Sequence, residues 1–357
     1  MRFNYLIVPI ITLLCSCSSH SHRTDNQTAP QGGFLLKPAT LIQGDLTGDF
    51  AGNPRAEQFI DMMVEKHNFN RQQLVAWLSQ TRCLDYVLRL MDRQAPNYTP
   101  APGPNGAWIR YRNKFITDSN VQNGVVFWNQ YRDALSRAEV QYGVPAEIIV
   151  GIIGVETRWG RVMGKTRIID GLATLAFDYP RRATYFSSEL ETFLLMSQHE
   201  QDNPLTLRGS FAGAMGYGQF MPSAYKQFAV DFNGDGHVNL WDPVDAIGSV
   251  AHYFQQSGWK TGQPVAIVGS GQAPGLENGY STRYTVNQLK NSGLTPQQPL
   301  SGSQKVSLLR LDMGNSYQYW FGLPNFYAIT RYNHSTQYAM AVWQLGESVR
   351  ASRQNNL

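Results

Sequence analysis

The sequence predicts an α+β chain that is mainly helical, and three observations carry that prediction. Apolar residues recur at helical spacing through most of the stretch from Arg55 to Glu200. From Pro264 to Ile329 the pattern changes to short strand-like runs among Gly and Pro turns. Helical spacing returns between Ser335 and Ser348. A chain of 357 residues is too long for one small core, so two or three subdomains are expected.

The first segment is a targeting sequence. Arg2 supplies a positive start, and the mostly apolar run Leu6 to Leu14, interrupted by Pro9, is too short to span a bilayer as an ordinary helix. It ends in Leu14-Cys15-Ser16-Cys17-Ser18, which resembles a bacterial lipobox with Cys17 as the lipidated residue; Cys15 inside it departs from the usual pattern. Ser18 in place of Asp points to the periplasmic leaflet of the outer membrane. With Cys17 lipidated, Cys83 is the one cysteine left in the mature chain, so no intramolecular disulfide is expected. Residues 18–44, rich in Ser, His, Gln, Thr and Gly, suit a flexible tether.

Helical elements follow in order. Phe59, Met62, Met63 and His67 share one period, and Arg71 to Leu78 continues it after a break. Ala95 to Ala107 is dense in Pro and Gly and is expected as a loop. A helix is predicted over Val121 to Tyr142, ending at Gly143. Pro145 then opens a helix with an apolar stripe of Ile149, Ile152 and Ile153, and Glu156 falls on that stripe. Burial favours the protonated carboxyl, which is the state a general acid needs near neutral pH. The same placement suits a Glu held in an ion pair, for example with Arg158, and spacing alone does not choose between the two. Asp170 to Glu200 is expected as helix interrupted at Asp178-Tyr179-Pro180, with Arg181 and Arg182 behind the Pro. Val265 to Val268, Lys305 to Leu311 and Gln318 to Phe321 are the expected strands.

Two further motifs stand between the Glu156 helix and the strands. Gly209 to Ser223 is Gly-rich and lets backbone approach a ligand, yet no Gly-Lys-Ser/Thr follows, so it is no phosphate loop. Asp231, Asn233 and Asp235, with Gly236 at the sixth position, match an EF-hand loop. His237 would offer its carbonyl, Asn239 would act at the ninth position, and the twelfth holds Asp242 in place of Glu. Asp242-Pro243 also suits an N-cap followed by a first helical residue. The shorter Asp242 leaves calcium and magnesium both open, and no second such loop is visible, which favours a structural metal clamp over a calcium sensor.

Composition narrows the function. The net charge of +4, without a Lys/Arg block, argues against a dedicated nucleic-acid binder. Tyr and Trp are plentiful, at 18 and 8, and offer flat faces for sugar rings once core packing has taken its share.

Glu156-Thr157-Arg158-Trp159-Gly160, the Gly213 to Ser223 segment, the EF-hand loop and Arg331-Tyr332-Asn333-His334-Ser335 occur in this order. With the lipobox, they resemble the membrane-bound lytic murein transglycosylase B family over about Phe50 to Gly346. The resemblance implies a lysozyme-like core with an added helical domain and a small β domain. It divides the chain into a signal peptide at 1–17, the tether at 18–44, a helical domain at 45–103, the core at 104–264 including the loop 231–242, the β domain at 265–330 and a return to the core at 331–357. It also implies cleavage of the β-1,4 bond between N-acetylmuramic acid and N-acetylglucosamine of peptidoglycan, leaving 1,6-anhydromuramoyl ends. Carried over by position, Glu156 is the single acid/base. Ser210, Met215, Gln219, Tyr253, Tyr332, Asn333, Tyr338 and Tyr111 fall in the saccharide cleft, Arg181 and Arg182 meet stem-peptide carboxylates, and calcium sits in the EF-hand loop.

The residues agree with a one-carboxylate reaction. Ordinary glycosidases use two, whereas Glu147, the other carboxylate of the Glu156 helix, lies on the opposite face. Two rivals stay open at this point: a hydrolytic muramidase and a non-catalytic peptidoglycan-binding lipoprotein.

Overall fold

The computed structural model describes residues 45–93, 103–273 and 275–355. The targeting segment, Cys17, the tether and most of the Pro-rich loop lie outside them. Among the described residues, 45–81 and 82–355 form two compact units.

The smaller unit holds α1 (Pro54–His67) and α2 (Arg71–Ser79). Asn53 caps α1 by accepting from Arg55 N (3.0 Å), with Pro54 at the first helical position. Asn70 caps α2 through Gln73 N (3.0 Å). Phe50, Phe59, Ile60, Met63, Leu74 and Leu78 are buried and form its core.

The larger unit begins with α3 (Asp85–Arg93), α4 (Ala107–Arg112), α5 (Asp118–Gln130), α6 (Arg132–Tyr142) and α7 (Ala146–Thr157). The helix expected over Val121 to Tyr142 is two helices, broken at Tyr131, which leaves the helical region at φ −111°. A second difference concerns α3. Expected with the N-terminal helical domain, it belongs to the larger unit, where Arg82 N donates to Asp170 Oδ1 (3.0 Å) and Leu84 N to Thr174 Oγ1 (3.0 Å).

Next come the two-residue strand β1 (Thr166–Arg167), α8 (Ile168–Asp178), α9 (Ala183–His199), β2 (Arg208–Gly209), α10 (Pro222–Phe228) and α11 (Pro243–Gln256). Strands β1 and β2 pair antiparallel. The β-rich part contains β3 (Ala266–Gly271), β4 (Tyr284–Thr285), α12 (Val286–Asn291), β5 (Leu294–Pro296), β6 (Lys305–Asp312) and β7 (Tyr317–Gly322). These five strands form an antiparallel sheet in the order β4-β6-β7-β3-β5, with Leu308 opposite Phe321 and Ile267 opposite the same Phe321. Its own small core includes Val286, Leu289, Leu294, Leu308 and Phe321. The chain returns through α13 (Pro324–Tyr332) and α14 (Thr336–Asn355).

The centre of the larger unit is α7. All its residues but Glu147 are buried, so it is apolar all round, as a core helix must be. It packs antiparallel against α14 at very short range. A Cβ on Gly151 would stand 2.3 Å from Val342 O, and one on Gly346 would stand 2.1 Å from Glu147 O. Glycine at both positions lets the two backbones touch. Glu147 faces away from the buried end and lies 3.6 Å from Arg350, as the helical spacing predicts. Among the described residues no single helix is long and apolar enough to cross a membrane.

Candidate active site

Glu156 is buried at the C-terminal end of α7, with 6 % of its surface exposed. No cation lies within ion-pair distance of it among the described residues. Arg158, the ion-pair alternative, makes no ion pair with it; with Trp159 and Gly160 it adopts a left-handed conformation (φ +51°, +57° and +83°) that ends the helix. The Trp159 indole then folds back to donate to Val150 O (3.2 Å).

Burial pushes the Glu156 carboxyl up to about 7. Against that, Tyr338 Oη donates to Oε1 (2.5 Å), a bond that favours the charged form. Tyr338 stands near the start of α14, so the glycine contact between α7 and α14 is what brings its hydroxyl to the carboxyl. Oε2 accepts no hydrogen bond among the described residues and is the oxygen left for a ligand. Tyr111 on α4, Tyr332 on α13 and Tyr338 all lie within the field of Glu156. Burial comes first in raising their phenols, and the Glu156 charge adds to it. Three of the expected cleft tyrosines thus surround one carboxyl.

Tyr332 donates to Gly218 O (2.5 Å) and meets Phe220, Tyr253 and Phe254 at ring-centroid distances of 4.8–5.8 Å. Tyr253 spends its hydroxyl on Arg331 O (2.6 Å), so it acts here as a wall. Asn333 is buried, and its Oδ1 has no hydrogen-bond partner. An unpaired buried acceptor is costly, which marks it as a group awaiting a donor.

The Gly-rich segment folds as a tight turn in which Met215 and Phe220 exchange backbone hydrogen bonds (2.8 and 3.1 Å). Gln219 closes it, its Nε2 donating to Gly216 O (2.9 Å) and Met163 O (3.2 Å). Ser210 Oγ accepts from Ala214 N (2.9 Å), so this hydroxyl oxygen stabilises its own turn. Met215 is wholly buried. Thr157, next to Glu156, donates to Tyr217 O (2.9 Å) and ties the turn to α7. Arg181 and Arg182 sit apart, on the short turn between α8 and α9. Arg181 lies 3.7 Å from Asp92, and Arg182 stacks on Tyr185 (4.5 Å).

The acidic loop follows the EF-hand pattern closely in its own bonds. Asp231 accepts from Gly234 N, Asp235 N and Gly236 N, Asn233 from Asp235 N, and Asp235 from His237 N. Gly236 has φ +90°, the turn that position demands. Asn239 Oδ1 accepts from Trp241 N (2.9 Å). Asp242 at the twelfth position caps α11 through Val244 N (2.7 Å). Asp245, which the motif did not single out, takes the place beneath the loop. It is fully buried and accepts from Phe232 N, Asn233 N and Asn239 N (2.8–3.0 Å). One turn further along a helix whose start was legible, it could have been found as the first inward carboxylate. The loop also reaches the Gly-rich turn, since Tyr217 N donates to Leu240 O (3.0 Å).

Comparison with known proteins decides the class. Residues 51–347 match the transglycosylase SLT domain family. The chain belongs to the SLT-domain lytic transglycosylases. It is 67 % identical over 352 residues to membrane-bound lytic murein transglycosylase B of Escherichia coli, covering 97 % of both chains. It also resembles the solved Escherichia coli lytic transglycosylase SLT35 in complex with bulgecin A, at 71 % identity and TM-score 0.84, over 87 % of this chain and 97 % of that one. The same enzyme in complex with calcium matches at 70 % identity and TM-score 0.83, over 87 % and 97 %. The expected class is therefore correct: this is a lytic murein transglycosylase with a lysozyme-like, mostly helical fold and a small sheet. As a transglycosylase it carries a buried carboxyl near neutral pKa, walled by tyrosines, at the end of its most buried helix.

The calcium complex of that relative raises the question of fit. Among the described residues no three His, Cys, Asp or Glu side chains stand together in metal-holding geometry. The loop offers a different donor set: the Asp231 and Asp235 carboxylates, the Asn233 amide and backbone carbonyls. All are oxygens on a turn already folded, and hard cations take such donors. The residues fit calcium in kind.

Proposed function

We propose that Glu156 is the single acid/base of this transglycosylase and that it cuts the β-1,4 bond after N-acetylmuramic acid, leaving 1,6-anhydromuramoyl ends. The observation that carries the reading is a carboxyl buried without a cation, raised to about 7, with one oxygen unbonded. Protonated Oε2 gives its proton to the glycosidic oxygen as the bond to C1 breaks. The resulting carboxylate then takes the proton of the muramoyl C6 hydroxyl, which attacks C1. No water enters, and Glu156 ends protonated as it began.

The remaining site residues take supporting roles. Tyr338 holds the carboxyl in place and steadies its charged form. Tyr332, Tyr253 and Tyr111 wall the cleft, and Asn333 Oδ1 waits for a donor such as a sugar hydroxyl or acetamide N–H. Gln219, Ser210 and Met215 shape the turn that faces the sugars. Arg181 and Arg182 are a site for stem-peptide carboxylates. Asp231, Asn233, Asp235 and the His237 carbonyl would hold calcium, with Asn239 and Asp242 behind them; the ion would supply charge balance to the loop. Lipidation at Cys17 would anchor the chain to the outer membrane facing the periplasm. The lipobox supports this, as does the name of the Escherichia coli relative, a membrane-bound transglycosylase.

The test is product mass spectrometry on purified sacculi with wild type and Glu156→Gln. Wild type should release non-reducing anhydro sugars, and the amide variant should bind but lose about 10²–10⁴-fold in rate. Products heavier by one water would make the enzyme a hydrolytic muramidase. Near-normal turnover by the variant would move the chemistry to another carboxylate.

A further inference from the structure

A pocket of about 420 Å³ opens between the end of α11, strands β6 and β7, and the start of α13. Lys260, Arg283 and Lys305 line it with Ser257, Ser307 and Tyr327. No Asp or Glu lines it, and none of the three cations has an ion-pair partner among the described residues. Three cations around one concavity focus a positive field on whatever enters it.

Arg283 is held in a fixed pose. Its Nη1 donates to Thr282 O (2.9 Å), Tyr280 O (3.1 Å) and Ser307 Oγ (3.2 Å). Its guanidinium lies over the Tyr327 ring, 4.6 Å from the centroid, and Arg331 stands over the same ring at 4.2 Å. The Nε and Nη2 edge makes no hydrogen bond among the described residues. That edge is the fork that takes a carboxylate with two parallel hydrogen bonds. Lys260 is pinned at its backbone by Asn325, which accepts from Lys260 N (2.7 Å) and donates to Lys260 O (2.8 Å), while its side chain makes no hydrogen bond among the described residues. Lys305 begins β6 with its side chain equally uncommitted.

Helix α13 links the pocket to the cleft. Tyr327 lines the pocket and Tyr332 stands in the field of Glu156. Five residues of helix set Tyr327 and Tyr332 about 7.5 Å apart along the axis, so the pocket and the surroundings of Glu156 adjoin the same short helix. We propose that this pocket is a carboxylate subsite, in which Arg283, Lys260 and Lys305 take the acidic stem peptide of the glycan strand bound at Glu156. The proposal rests on the reading of the substrate as peptidoglycan. It is separate from Arg181 and Arg182, which stand on another element.

The test uses Lys260→Gln/Lys305→Gln on two substrates: strands with their stem peptides and strands stripped of them by an amidase. Arg283 stays in place because its bonds hold local backbone. On peptide-bearing strands KM should rise about tenfold, a few-fold for each lost exposed pair, with kcat unchanged. On stripped strands both constants should match wild type. Free stem peptide should bind wild type by calorimetry, bind the variant about tenfold more weakly, and be displaced poorly by inorganic phosphate. Equal losses on both substrates, no loss on either, or displacement by phosphate as effective as by peptide would each overturn the subsite. Failure of wild type to release anhydro sugars would instead overturn the proposed reaction, and the calorimetric comparison would still decide the pocket.

Discussion

Glu156 carries two linked consequences at the level of single residues. Its carboxyl sits near 7 in the folded protein against an ordinary value near 4.5. A carboxyl raised on folding favours the folded state only while protonated. That stability is fully present below the unfolded pKa and is lost as pH rises through about 7. Glu156→Gln cannot ionise, so its stability relative to wild type should grow between pH 5 and pH 8, towards a ceiling of about 3 kcal/mol. Thermal midpoints of both proteins across that range check this; a constant difference would mean that the carboxyl is not buried as described. In the proposed reaction this is the proton transferred, so kcat/KM should fall as pH rises through about 7. Tyr338→Phe removes the bond that steadies the charged form, so its alkaline limb should move to higher pH. A limb that moves down or stays would remove Tyr338 from contact with the acid.

Among elements, the contact of α7 with α14 sets the site. Gly151→Ala and Gly346→Ala each drive a Cβ into a facing carbonyl at 2.3 and 2.1 Å. Alanine improves helix propensity by about 1 kcal/mol, yet overpacking here costs about 1–3 kcal/mol, and the helices must part to relieve it. Both variants should therefore melt lower than wild type and lose activity beyond what stability explains, because Tyr338 moves away from Glu156. Denaturant unfolding beside an assay well below the transition tests it. A stabilised Gly151→Ala would show that the helices are not in backbone contact.

Across the molecule, the acidic loop joins the Gly-rich turn through Tyr217 N and Leu240 O, and joins α11 through Asp245. A cation on Asp231, Asn233 and Asp235 would thus brace the cleft without touching the scissile bond. Calcium at a hundredfold excess over its Kd should add about 2.7 kcal/mol to wild type, and Asp231→Ala should lose that gain. Activity measured well below the melting transition should change less than stability. Equal indifference of both proteins to calcium would reduce the loop to a turn, and loss of activity with an intact fold would bring the ion closer to the chemistry.

Local patterns were legible because they depend on neighbours in the chain. The Ile149-Ile152-Ile153-Glu156 stripe placed the carboxyl on a buried face, the Asp231-Asn233-Asp235-Gly236 spacing marked the loop, and β3, β6 and β7 followed from their strand-like runs. Three things needed the folded chain. The spacing left Glu156 between acid and ion pair; its isolation from cations and its bond to Tyr338 depend on a residue 182 positions away. The helix start made an inward carboxylate at Asp245 legible, but not its partners, which are backbone N–H groups that every residue carries. The cations of the α11–α13 pocket come from three distant segments with nothing periodic between them. Sequence determines which local elements form and what chemistry they carry, because propensity and periodicity act over a few residues. Which charge is paired, which is left alone and which groups share a pocket is decided only when tertiary packing excludes water between segments that the chain itself keeps far apart.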